Sequence, residues 1–301
     1  MMSYDSHPVP GSLPRRREGS TTSLLLHLFG DYWLERSQAF PSAALVALLA
    51  DFDVAETAAR AALSRMVKHG LLESSRAGRN TSYRLTPRTV RVLRSGLARM
   101  GEFGREDRPW DGIWSVVVVG APERDRALRE AIRTRMRWLG YAPLEDAVWI
   151  SPRARPGVAV EELGRLGLDA VTALTATVPA LGAGSRRPQE AWDLDSLSAA
   201  YLAFIDDAEQ LARELAADEI TPAQALVLRT RFADVWIELA SSDPDLPREL
   251  LPTDWPRMRA RAAFIGAHEA LGARAIERVT AVLAEFDPEL ADLVIHRSFV
   301  A

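Results

Sequence analysis

The sequence predicts an α+β chain: an N-terminal winged helix-turn-helix, a central ferredoxin-like α/β domain and a C-terminal, mainly helical domain. Three observations carry this. Residues 23–85 read in the order helix, helix, helix, hairpin. Residues 108–180 alternate strands with helices behind a β-branched opening strand. Residues from about 190 to 289 place Leu, Ile and Phe at helical intervals. With 301 residues, the chain has room for two or three domains, each able to bury its own core.

Residues 1–20 are rich in Pro, Gly, Ser and Arg without periodicity and read as a disordered tail. The winged-helix domain is assigned to 21–100. Leu24, Leu25, Leu28 and Phe29 recur at helix spacing, and Gly30 is expected to end the first helix. Pro41 and Ser42 open the second, with Leu45, Leu48 and Leu49 on one face, and Asp51–Asp53 breaks it. The third runs from about Ala55 to His69 and stops at Gly70, a natural helix C-cap. Leu71–Ser75 and Thr81–Leu85 then flank a turn at Ala77–Asn80, and the second of them alternates Ser82 and Arg84 with Tyr83 and Leu85. That is a hairpin pattern.

The third helix carries the chemistry. Ala59, Leu63, Met66 and Val67 form an apolar stripe, while Thr57, Arg60, Ser64 and Lys68 fall at i, i+3, i+7 and i+11 on another face, with Arg65 beside them. Arg and Lys can bond guanine O6 and N7 in a major groove, and Thr and Ser can reach bases or phosphates. Ala58, Ala61 and Ala62 are small enough to let the backbone sit close to a groove. Arg76, Arg79 and Asn80 stand at the hairpin tip, where a wing meets phosphates or a minor groove. Charge agrees: the chain is −4 overall, yet residues 54–100 hold ten Lys or Arg against Glu56 and Glu73 alone. A basic block on an acidic protein is the footprint of a nucleic-acid-binding module.

The central domain is assigned to 108–180. Ile113–Val119 is a strand, Arg124–Leu139 an amphipathic helix ending at Gly140, Ala147–Ile150 a short apolar run, Val160–Leu166 a helix and Ala170–Val178 a strand. The order suggests a ferredoxin-like sheet. Gly182–Ser185 reads as a linker. In the C-terminal domain, 190–301, helices are expected at Leu197–Ala217, Pro222–Ala240 and Met258–Glu285, separated by a loop at 241–256 and followed by a tail or short helix at 289–301. Trp192, Trp236 and Trp255 are candidates to line an apolar effector cavity, with Arg229, Arg231 or Arg257 receiving an anionic group. Of these, Arg229, Trp236 and Trp255 are the residues expected to bind the effector.

Composition excludes several classes. The absence of Cys removes disulfides, thiolate metal sites and a cysteine nucleophile. No apolar run reaches the ~20 residues of a membrane helix, and residues 1–20 lack a hydrophobic signal core, so a cytoplasmic protein is expected. None of the five histidines sits in a metalloprotease pattern; His27 and His268 read as packing or capping residues on helices. No nucleophile elbow, phosphate loop or dinucleotide fingerprint occurs. The adjacent pairs Glu161-Glu162 and Asp206-Asp207 point about 100° apart on a helix and suit a solvated face. No catalytic residue, metal site or cofactor is assigned.

The segment ARAALSRMVKHGLLESSRAGRNTSYRLT and the later run SSDPDLPRELLPTDWP (241–256) occur in that order. Together they resemble the phenylacetic acid degradation repressor (PaaX-type) family of transcriptional regulators. The resemblance covers most of the chain. It implies a repressor of a catabolic operon released by an acyl-CoA-type inducer, phenylacetyl-CoA for the founding members. It also implies a central domain similar to the small ferredoxin-like nuclease subunit of CRISPR arrays. That nuclease keeps a metal-binding Asp just after its first strand, whereas here Gly120-Ala121-Pro122 follows and Glu123 lies beyond the proline. The domain therefore reads as a dimerisation or spacer element. Where family members commonly have Gly after the Trp-Pro of the second signature, this chain has Arg257. The expected protein is a homodimer on an inverted-repeat operator in double-stranded DNA, without a membrane partner. The alternative carried beside it is a metal-dependent nuclease or nucleic-acid-processing protein built on the ferredoxin-like domain.

Overall fold

The computed structural model describes residues 21–78, 80–105, 109–122, 124–153, 155–178 and 187–300. The tail expected at 1–20, the linker at 182–185 and Glu123 lie outside them. The chain is mixed α and β with two small antiparallel sheets. It divides into two compact units. The first comprises Met1–Arg105, Ala200–Ala240 and Pro256–Ala301; the second comprises Glu106–Ala199 and Ser241–Trp255. The N-terminal and C-terminal helices thus share one unit, and the loop at 241–255 folds with the central region.

In the first unit, α1 (Thr21–Leu28) buries Leu24, Leu25 and Leu28 and runs into a π-helical turn at Phe29–Trp33. The sequence places the end of this helix at Gly30. The chain instead stays helical for three more residues, because Phe29, Tyr32 and Trp33 all enter the core on the wider turn. A two-residue strand β1 (Phe40–Pro41) precedes α2 (Ser42–Ala50). It pairs Phe40 with Tyr83 and sits at the sheet edge, where a proline lacking its N–H is tolerated.

Helix α3 (Glu56–Lys68) follows, and Gly70 at φ 67° closes it: its N–H donates to Val67 O, and that of Leu71 donates to Met66 O. Strands β2 (Leu72–Ala77) and β3 (Asn80–Leu85) pair from Leu72↔Leu85 to Ala77↔Asn80, giving a three-stranded sheet of order β1-β3-β2. The strands run longer, and the turn shorter, than their sequence pattern suggests. Helix α4 (Pro87–Glu102), capped by the Thr86 hydroxyl accepting from Thr89 N, follows the hairpin.

The second unit holds β4 (Trp114–Val118), α5 (Arg126–Trp138), β5 (Ala142–Glu145), β6 (Val148–Ser151), α6 (Pro156–Gly164) and β7 (Thr172–Ala176). The sheet order is β5-β6-β4-β7 with every neighbouring pair antiparallel. Its core contains Val117, Trp149, Ile132, Met136, Ala159 and Leu163, so α5 and α6 cover one sheet face. Helix α6 starts at Pro156, four residues before its expected start, since a proline fits the first helical position. Trp114 packs between Trp110 and a stacked Trp192, which anchors the chain ahead of α7 (Leu194–Ala216). In the 241–255 loop, Asp245 O accepts from Arg153 Nε at 2.8 Å, and Leu246 is fully buried.

Helices α8 (Pro222–Ser242), α9 (Arg257–Ala270), α10 (Gly272–Ala284) and α11 (Pro288–Ala291) complete the first unit, the expected helix Met258–Glu285 being divided at Leu271–Gly272. One hydrophobic core joins both ends of the chain: Leu25, Leu45, Leu63 and Met66 pack in the same cluster as Leu226, Val279 and Leu283. The Arg278 guanidinium reinforces this with a bidentate bond to Asp51 at 2.8 and 2.9 Å. The helix carrying the basic face is therefore built onto the C-terminal helices rather than set apart from them.

Candidate nucleic-acid interface

Helix α3 separates its two faces as its periodicity demands. Ala59, Ala62, Leu63 and Met66 are buried, while Thr57, Arg60, Ser64, Arg65 and Lys68 are all exposed. Ala58 and Ala61 lie on the exposed side; Ala62 is in the core and cannot serve groove approach. Arg65 and Lys68 make no ion pair among the described residues and lie in the last turn, where cations favour the helix dipole. Arg60 differs, because its Nε donates to Glu56 Oε1 at 2.7 Å, four residues back on the same exposed face.

The hairpin extends the surface. Arg76 and Asn80 are exposed near the tip, and Gly78 adopts φ 61° in the turn. Arg79 lies outside the described residues. Lower on the hairpin, Arg84 is held across the strands by Glu73 at 2.6 Å. Beyond it, α4 exposes Arg88, Arg91 and Arg99, while Arg94 pairs with Glu35 at 2.8 Å. In the sequence these arginines register as positive charge, with no element assigned to them. The amphipathic run from Pro87 was the signal that could have placed them on one.

The effector candidates fall elsewhere. Arg229 and Trp236 are fully buried in the first unit. Trp236 stacks on Phe264 at 5.3 Å, abuts Phe103 at 5.4 Å and donates its Nε1–H to Met100 O at 3.0 Å, so it anchors the end of α4 in the core. Trp255 belongs to the second unit and is half-buried. Arg257 is buried with its guanidinium 5.9 Å from the Phe103 ring, and Arg231 is exposed. A groove of about 470 Å³ does open between α7 and α9, lined by Ile205, Ala208, Leu211 and Ala263, with Glu209 and Arg259 as its charged residues.

Arg229 has a different setting from the one its sequence suggests. Its Nε and Nη2 donate to His268 O (3.2 Å) and Arg297 O (2.8 Å), Nη1 stands 3.9 Å from Asp31 Oδ2, and the guanidinium lies over Tyr32. A guanidinium only donates, so His268 Nδ1 accepts from Nη2 at 3.3 Å and the ring proton resides on Nε2, 3.9 Å from Asp31 Oδ2. Burial pushes the Asp31 carboxyl upward. Its interaction with His268 and the charges of Arg229 and His27 outweigh that and bring the pKa down to about 2. Burial, opposed by Asp31, holds His268 below its usual range. His27 is half-buried; its desolvation lowers the pKa, but its 2.6 Å contact with Asp234 prevails and the net shift is upward. His27 and His268 are thus partnered groups of this polar core.

Among the described residues, no group of three or more His, Cys, Asp or Glu side chains is placed to hold a metal ion, and no helix is long and apolar enough to cross a membrane. Three family models match in sequence order. They are PaaX-like protein at residues 20–89, PaaX protein central Cas2-like domain at 107–190, and PaaX-like protein C-terminal domain at 192–281. The chain is 29% identical over 267 residues to the Transcriptional repressor PaaX of Escherichia coli (strain K12), covering 87% of this chain and 83% of that protein. Among solved structures it is similar to the uncharacterized protein Rv0674 from Mycobacterium tuberculosis, with a TM-score of 0.54 and 28% identity over 87% of this chain and 98% of that one.

Proposed function

The chain belongs to the PaaX-like family, and from that premise we propose that it is a transcriptional repressor that reads duplex DNA with α3 and the β2–β3 hairpin. The observation that carries this is the exposed face of α3, where Thr57, Arg60, Ser64, Arg65 and Lys68 line one side of a helix whose other side is buried. In this reading residues 21–100 are a winged helix-turn-helix domain, Arg76, Arg79 and Asn80 being its wing contacts. The βαββαβ order and the β5-β6-β4-β7 sheet support a ferredoxin-like central fold. The name and family of the E. coli relative support repression as the outcome of binding.

Two copies related by a two-fold axis would place two α3 helices in successive major grooves of an inverted repeat. We assign the inducer, of acyl-CoA type, to the α7–α9 groove, since Arg229 and Trp236, two of the effector residues expected from sequence, are built into the core, and the third, Trp255, belongs to the other unit. The shared core of α2, α3 and α10 then gives a direct route from the C-terminal helices to the DNA-reading face. Fluorescence anisotropy of the full-length protein on duplex from its own upstream region, against scrambled duplex across a salt series, tests the reading. Preference for the native duplex and steep weakening with salt are expected. Equal binding to both would contradict sequence-specific repression.

A further inference from the structure

Residues 293–300 form neither helix nor strand, yet they are gripped from two sides. On one side they hold the π turn and its flank. Leu293 O accepts from Arg36 Nε at 3.0 Å, Ile295 N donates to Tyr32 O at 3.1 Å, and Arg297 Nε donates to Gly30 O at 2.9 Å. On the other side they hold α8 and α9. Arg297 O accepts from Arg229, His296 Nε2 meets Glu269 Oε2 at 2.7 Å, and Phe299 N donates to Glu269 Oε1 at 3.0 Å. The Phe299 ring packs on His268 at 4.9 Å and on Phe264 at 5.4 Å.

Two glycines make room for this segment. A Cβ on Gly272 would fall within the imidazole of His296, and one on Gly101 would come 3.0 Å from Phe299 Cδ1. Ordering an irregular segment costs conformational entropy, which these contacts must offset. What they fix is the π turn, continuous with α1, and α1 packs on α3.

We propose that residues 293–299 are a strap that sets the position of α1, and through it α3, against α8 and α9, and that releasing the strap weakens operator binding. The proposal rests on the DNA-binding reading above and adds a means of control to it.

Gly272→Ala in the full-length protein is the discriminating variant. Gly272 does not occupy the left-handed region and opens α10, so an alanine suits the backbone while its methyl evicts the His296 ring. Hydrogen exchange at the Ile295 and Phe299 amides should speed up, and affinity for the native duplex should fall roughly tenfold. Adding His296→Ala removes the clash and should restore both amide protection and most of the affinity, which general destabilisation would not do. Amides that stay protected in Gly272→Ala, released amides with affinity unchanged, or a double variant that fails to recover would each overturn the strap. A wild-type chain that does not prefer its own duplex overturns the DNA reading itself, a result visible before any variant is made.

Discussion

Replacing Asp31 with Ala is expected to cost about 3–5 kcal/mol of unfolding free energy, the range for removing one partner from a buried ion pair. Arg229 is fully buried, and Asp31 supplies the carboxylate facing it, so truncation leaves a cation in the core beside neutral His268. Urea unfolding followed by circular dichroism measures the loss. The double variant Asp31→Leu/Arg229→Met should recover much of it, because removing both charges also removes their desolvation penalty.

The pH dependence follows from the sign of the Asp31 shift. Its folded pKa lies below the ordinary value, so its contribution is present above about pH 4 and is lost as pH falls through about 2. The gap in stability between wild type and Asp31→Ala should therefore narrow in acid. A gap that stays constant from pH 6 to pH 2 would show that the carboxylate charge is not what stabilises this core.

Arg65→Ala is expected to weaken binding to the native duplex by about 1–3 kcal/mol if its guanidinium reads a base, with a smaller loss on scrambled duplex. Arg60 presents a contrast. Its bond to Glu56 must be given up or shared when DNA arrives, and an exposed i,i+4 pair is worth only about 0.3–0.5 kcal/mol. Glu56→Ala should therefore tighten binding, by freeing Arg60 and removing an anion from the exposed face of α3 proposed to meet DNA. Anisotropy titrations of the two variants on both duplexes check this. A loss for Arg65→Ala that is equal on both would assign the residue to phosphate. Weaker binding by Glu56→Ala would mean that the pair itself positions Arg60 for recognition.

The helix carrying this face was legible because its information is local. Alternation of Ala59, Leu63 and Met66 with Thr57, Arg60 and Ser64 fixes which side is buried, and Gly70 fixes where the helix stops. The hairpin was legible for the same reason, through the alternation at Ser82–Leu85 and the glycine in its turn. The polar core was not. Asp31, Arg229 and His268 come from three distant helical segments, and no short-range pattern ties an aspartate in a π turn to an arginine nearly two hundred residues later. Arg229 and Trp236 stood out by residue type, but only long-range packing shows that they are enclosed in the core. The division into units was hidden likewise, since the 241–255 loop follows α8 in sequence yet folds with the β-sheet unit. Sequence proximity to the C-terminal helices suggested the opposite grouping.

The central claim is that α3 enters the major groove, and dimethyl sulfate protection tests it most directly, because methylation at guanine N7 reports on that groove. The full-length protein on its upstream duplex should protect guanines in two half-sites about one helical turn, or a multiple, apart. Arg65→Ala should lose protection at specific guanines while keeping the outer boundaries of the site. Uniform guanine reactivity under saturating protein would contradict the account and leave α3 as a basic surface that does not read DNA.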